Sequence, residues 1–99
     1  MITLDMIPIQ NPVVVDRIVN DEAVLVLPTK GQVKVLNAVG ARIWSSIDGT
    51  RTVGEIINII HTEYAVNAQE AREDTCIFLG QLADRDIITF SAKAPIIRK

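Results

Sequence analysis

The chain has 99 residues, 48% of them hydrophobic, and its ten Lys plus Arg against twelve Asp plus Glu leave a net charge of −2. That length excludes multidomain enzymes and repeat arrays and leaves one compact domain with a single core. The near-neutral balance excludes a general attraction to phosphate backbones or anionic membranes.

The first twelve residues form an N-terminal arm. Its apolar residues Ile2, Leu4, Met6, Ile7 and Ile9 are interrupted by Asp5, Pro8, Gln10 and Asn11, so the arm lacks the unbroken apolar run of a signal peptide. No 18-residue apolar stretch follows, and a single cysteine, Cys76, leaves no internal disulfide. These features predict a cytoplasmic protein. Val13 to Val19 and Ala23 to Leu27 read as strands joined by the polar turn Asn20-Asp21-Glu22, with Pro12 opening the first. Ala23 to Leu27 is apolar at every position, which predicts a central strand covered on both faces. After a turn at Pro28-Thr29-Lys30-Gly31, Gln32 to Leu36 alternates, as expected of a half-buried edge strand.

Helical periodicity then takes over. Asn37 can cap a helix carrying Val39, Ile43, Trp44 and Ile47 on one stripe, ended by Asp48-Gly49. Thr52-Val53-Gly54-Glu55 has the form of a capping box, and Val53, Ile56, Ile57, Ile60 and Tyr64 share the face of a second helix that should stop near Tyr64. Asn67-Ala68-Gln69-Glu70 repeats the pattern ahead of a third helix with Ala71, Thr75, Phe78, Leu79 and Leu82 inward, closed by Asp84-Arg85-Asp86. Ile87 to Phe90 is compatible with a short final strand, and residues 91–99 read as a tail. The expected architecture is α+β, a winged helix-turn-helix-like arrangement of a three-stranded antiparallel sheet followed by three helices, with residues 13–90 as the domain.

Catalytic groups are sparse. His61 is the only histidine, and Glu63 lies on a different helix face, so the two lack the spacing of an acid/base couple. Cys76 has no imidazole within sequence reach. The five glycines are scattered, with neither a Walker nor a dinucleotide pattern, and no Cys/His set has metal-ligand spacing. The chain is therefore expected to be no enzyme and to hold no cofactor or metal. A DNA-binding regulator is the rival that a winged helix suggests. Against it, Ala68 to Asp86 carries five acids and two bases, a net of −3 where a recognition helix needs Arg and Lys. A small structural or oligomerisation module is a further alternative.

The third strand has the opposite sign. Lys30 and Lys34 have no acid between Thr29 and Leu36, so a basic strand edge is expected near the acidic third helix. Lysines on an edge block aggregation, and an open edge can also accept a peptide as an added strand. A proline at Lys34 would then remove an edge donor, if that N–H points outward. Ile77 falls off its helix's core stripe, among Glu70, Asp74 and Gln81, where an exposed apolar side chain suits binding.

Several blocks carry a resemblance in their order and spacing: Val35-Leu36-Asn37-Ala38-Val39-Gly40-Ala41-Arg42-Ile43-Trp44, then Asp48-Gly49-Thr50-Arg51-Thr52-Val53-Gly54-Glu55-Ile56, Tyr64-Ala65-Val66 and Phe78-Leu79-Gly80-Gln81-Leu82. Over about Val13 to Phe90 the sequence resembles the PqqD family, small peptide chaperones of pyrroloquinoline quinone biosynthesis and of other ribosomally made, modified peptides (RiPPs). The resemblance implies a non-catalytic adaptor that binds the leader of a precursor peptide by strand addition and presents it to a modifying enzyme, commonly a radical S-adenosylmethionine protein that holds its own cofactor. It implies a peptide site on Gln32, Val33, Lys34, Val35 and Leu36 of the third strand, opposed by Glu70, Asp74, Ile77, Phe78 and Gln81 of the third helix. No nucleic acid or membrane is expected as partner. The residues leave open whether the apolar arm packs in cis or swaps into a homodimer. Two positions depart from the family pattern: Arg85-Asp86-Ile87 stands where a glycine and a large apolar residue are usual, and Ile43-Trp44 is more typical of the broader PqqD-like group than of quinone-pathway members.

Overall fold

The computed structural model describes residues 2–91; the predicted tail therefore lies, except for Ser91, outside the described residues. The elements run β1 (Ile7–Gln10), β2 (Val15–Val19), β3 (Glu22–Leu27), a single 3-10 turn (Pro28–Lys30), β4 (Gln32–Leu36), α1 (Ala38–Ser46), α2 (Val53–Tyr64), α3 (Ala68–Asp84) and β5 (Ile88–Ser91). β2, β3 and β4 form an antiparallel sheet with β3 in the centre, and β1 pairs with β5 in a second, two-stranded sheet. The fold is α+β, as the alternation and periodicity predict.

The arm belongs to the body of the domain. Besides the β1–β5 pairing, the carbonyls of Met6 and Leu4 accept the N–H groups of Val53 (2.8 Å) and Gly54 (2.9 Å). Those donors have no partner inside α2, so the arm finishes what the capping box begins. In the box, Thr52 Oγ1 accepts the Glu55 N–H (3.2 Å) and Glu55 Oε1 accepts the Thr52 N–H (2.8 Å). Asn37 and Asn67 cap α1 and α3, their Oδ1 atoms accepting the N–H groups of Gly40 and Glu70.

Two expectations about the sheet are corrected. The first strand of the hairpin starts at Val15, not Val13. Asn11 makes a turn there, its Oδ1 accepting the Val13 N–H (3.1 Å) and its carbonyl the Val14 N–H (3.0 Å), so Pro12 sits in that turn. β3 is covered on one face only: Ala23, Leu25 and Leu27 are buried, whereas Val24 and Val26 are half-buried. β4 is the half-buried edge strand that its alternation predicts, with Val33 and Val35 on the solvent side at 58% and 65% exposure. With Val15 and Val19 they leave an apolar outer sheet face open.

The core lies between the inner sheet face and the helices. Leu25 and Leu36 meet Trp44, Ile56, Leu79 and Leu82, all at 2% exposure or less. Trp44 is 1% exposed, and its indole Nε1–H donates to Asp16 Oδ2 at 2.7 Å, which supplies the polar partner that a buried indole needs. Two residues of the predicted stripes are not interior: Val39 and Tyr64 are 36% and 37% exposed.

Candidate peptide groove

Which backbone groups β4 offers is decided one hairpin earlier. Val19 and Glu22 pair across the two-residue loop Asn20-Asp21, and a pair closing so short a loop must exchange its own hydrogen bonds. Alternation then turns the N–H and C=O of Glu22, Val24 and Val26 toward β2, and those of Ala23, Leu25 and Leu27 toward β4. Their partners Leu36, Lys34 and Gln32 therefore spend their backbone groups on β3. The unpaired edge donors and acceptors of β4 belong to Val33 and Val35. The Lys34 N–H points inward, so a proline at position 34 would break the β3–β4 ladder instead of removing an edge donor.

Side chains alternate the other way round. Gln32, Lys34 and Leu36 lie on the helix side of β4, while Val33 and Val35 lie on the outer face. Beside this edge a groove of about 440 Å³ runs between β4, the start of α1 and the middle of α3. Lys34, Val35 and Leu36 form one wall, and Asp74 and Phe78 the opposite one. The remaining predicted residues, Gln32, Val33, Glu70, Ile77 and Gln81, lie on the same two elements but do not line it. Ile77 is 61% exposed on α3.

The floor was not foreseen. Val39, Gly40 and Ile43 of α1, with its cap Asn37, complete the groove. Val39 shares a helical stripe with Ile43 and Trp44, and periodicity alone cannot separate a core position from an apolar groove position on the same face. A Cβ at Gly40 would lie 3.3 Å from both Leu36 Cβ and Phe78 Cζ, so glycine lets α1 approach the Phe78 ring closely.

Charge around the groove is simpler than the sequence implies. Lys30 is bound to Asp86 across the β3–β4 and α3–β5 turns, and Arg42 holds Glu63 through two 2.9 Å hydrogen bonds. The Arg42 guanidinium lowers the Glu63 carboxyl below its ordinary value, and the Glu63 carboxylate in turn raises Arg42. Of the two lysines read as a basic edge, only Lys34 is without an ion-pair partner among the described residues. His61 is exposed, with Nδ1 2.6 Å from the Val66 carbonyl oxygen. Among the described residues no three His, Cys, Asp or Glu side chains could together hold a metal ion, and no helix is long and apolar enough to cross a membrane.

Comparison with known proteins points the same way. Among curated proteins no sequence matches the chain. Two solved structures share its fold. TbiB1, solved in complex with the TbiA(β) leader peptide, is 34% identical, with a TM-score of 0.73 over 81% of this chain and 93% of that one. Lasso peptide synthetase B1, complexed with the leader peptide, is 17% identical, with a TM-score of 0.74 over 83% of this chain and 96% of that one. The sequence profile of coenzyme PQQ synthesis protein D matches residues 22–88, which takes in all three helices, β3 and β4, and so every element that frames the groove. The chain belongs to the PqqD family.

Proposed function

We propose that this protein binds the leader of a ribosomally made precursor peptide as a fourth strand on β4, packed against α3, and presents it to a separate modifying enzyme. The observation that carries this reading is an unpaired strand edge, at Val33 and Val35, that borders a groove whose far wall is a helix. An extended peptide gains backbone hydrogen bonds from such an edge and specificity from its alternate side chains. The relatives solved with leader peptides support the same ligand class. No chemistry is assigned to the chain itself. Transformation of the peptide falls to a separate enzyme in the cytoplasm, a radical S-adenosylmethionine protein or another peptide-modifying enzyme.

Strand addition requires a disordered leader to become ordered, which holds its affinity near the micromolar range despite many hydrogen bonds. The test is titration of fluorescent TbiA(β) leader peptide by anisotropy. Val35→Pro removes an outward donor and is expected to weaken binding at least about tenfold. Ile18→Pro, on the opposite sheet edge, should leave affinity nearly unchanged, with circular dichroism confirming that both variants fold. Equal losses from the two prolines would overturn the β4 assignment.

A further inference from the structure

Lys34 and Asp74 face the same groove from opposite walls, one on β4 and one on α3, and among the described residues neither has an ion-pair partner. Lys30 and Arg42, by contrast, are engaged, with Asp86 and Glu63. Leu36, Val39, Ile43 and Phe78 supply apolar lining beside these charges, and none of the four distinguishes one register of a bound strand from another.

A strand added to β4 puts every second side chain into this groove. The residue opposite Lys34 forms a non-hydrogen-bonded pair with it, because the Lys34 backbone is turned toward β3. That type of pair brings Cβ atoms closest, to about 4.5–5.5 Å. A groove-facing neighbour an even number of residues away lies on the same side and can reach the helix wall.

We propose that Lys34 and Asp74 act as a charge clamp that selects peptides carrying an acidic and a basic residue an even number of positions apart and fixes their register on β4. This rests on the strand-addition reading and names the ligand chemistry for it. A slip of one residue would move both peptide charges to the outer valine face. A slip of two would carry the acid away from Lys34.

A lysine serving only to guard the edge against aggregation would show no positional preference, and this separates the two roles. The experiment is selection of a display library of random 14-residue peptides against the wild-type protein, Lys34→Glu and Asp74→Lys, with thermal melts to confirm folding. Wild type is expected to enrich an acid and a base at even spacing. Lys34→Glu should lose the acid and keep the base, and Asp74→Lys the reverse. Synthetic peptides with one charge reversed should bind about three- to tenfold more weakly, less so in 0.5 M salt. Enrichment without a charge pattern, or a pattern that ignores both substitutions, would overturn the clamp and leave peptide binding standing. Failure to enrich any peptide would overturn both.

Discussion

The α-carbon of Gly40 faces the edge of the Phe78 ring so closely that a methyl group there would lie 3.3 Å from Cζ. It would lie equally close to Leu36 Cβ, on a strand held in place by β3. The half-buried ring is the part free to move, and the space open to it is the groove. Gly40→Ala should therefore gain helix propensity, about 1 kcal/mol, and lose a similar amount to crowding. We expect a melting temperature within a few degrees of wild type and leader affinity reduced about tenfold, measured by circular dichroism and anisotropy. Unchanged affinity would mean that the ring yields in another direction.

The Asp16–Trp44 hydrogen bond gives a second expectation. Asp16→Ala leaves a buried indole N–H unsatisfied and should cost about 1–3 kcal/mol in urea unfolding. Adding Trp44→Phe removes the orphan donor along with part of the ring. Asp16→Ala should then cost less on top of Trp44→Phe than it does in wild type. Equal costs in both backgrounds would show that the bond contributes nothing to stability.

Acid stability supplies a third. Asp48 accepts the backbone N–H groups of Thr50 and Arg51 and the Thr50 hydroxyl, each at 2.9 Å. These bonds favour the charged form, the backbone N–H of Thr50 first, and lower the carboxyl from 3.8 to about 2. A lowered value in the folded state means that the contribution is complete above the unfolded value and is lost as pH falls through the folded one. The melting-temperature gap between wild type and Asp48→Asn should stay constant from neutral pH to about 5, then close between about 4 and 2. A gap that persists at pH 2 would contradict the assignment.

Helices were legible because local signals set them. The caps at Asn37, Thr52 and Asn67, and the stop after Tyr64, are properties of a few neighbouring residues. The arm was legible only as an apolar segment, since pairing Ile7 with Ser91 depends on contacts more than eighty residues apart. The groove walls were accessible through the family resemblance, but its floor was not, because Val39 has the spacing of a core residue. The departure at Arg85-Asp86 has a local explanation. Asp86 adopts a left-handed φ of 61°, a conformation that favours glycine, and its carboxylate ties the turn to Lys30. The expected basic edge was reduced to Lys34 by that same distant pairing, which charge counting along one strand cannot see.

The outer face of the sheet bears on how a leader sequence is constrained. Val15, Val26 and Val33 form one row across the three strands, and Arg17, Val24 and Val35 another. A peptide strand on β4 would lengthen both rows with the residues opposite Val33 and Val35, and these would stand in the open while their neighbours are enclosed. Odd and even positions of the leader would then answer to different selectors. One set has to suit this protein. The other is free to drift, or to carry a second message addressed to whatever protein settles over the valines.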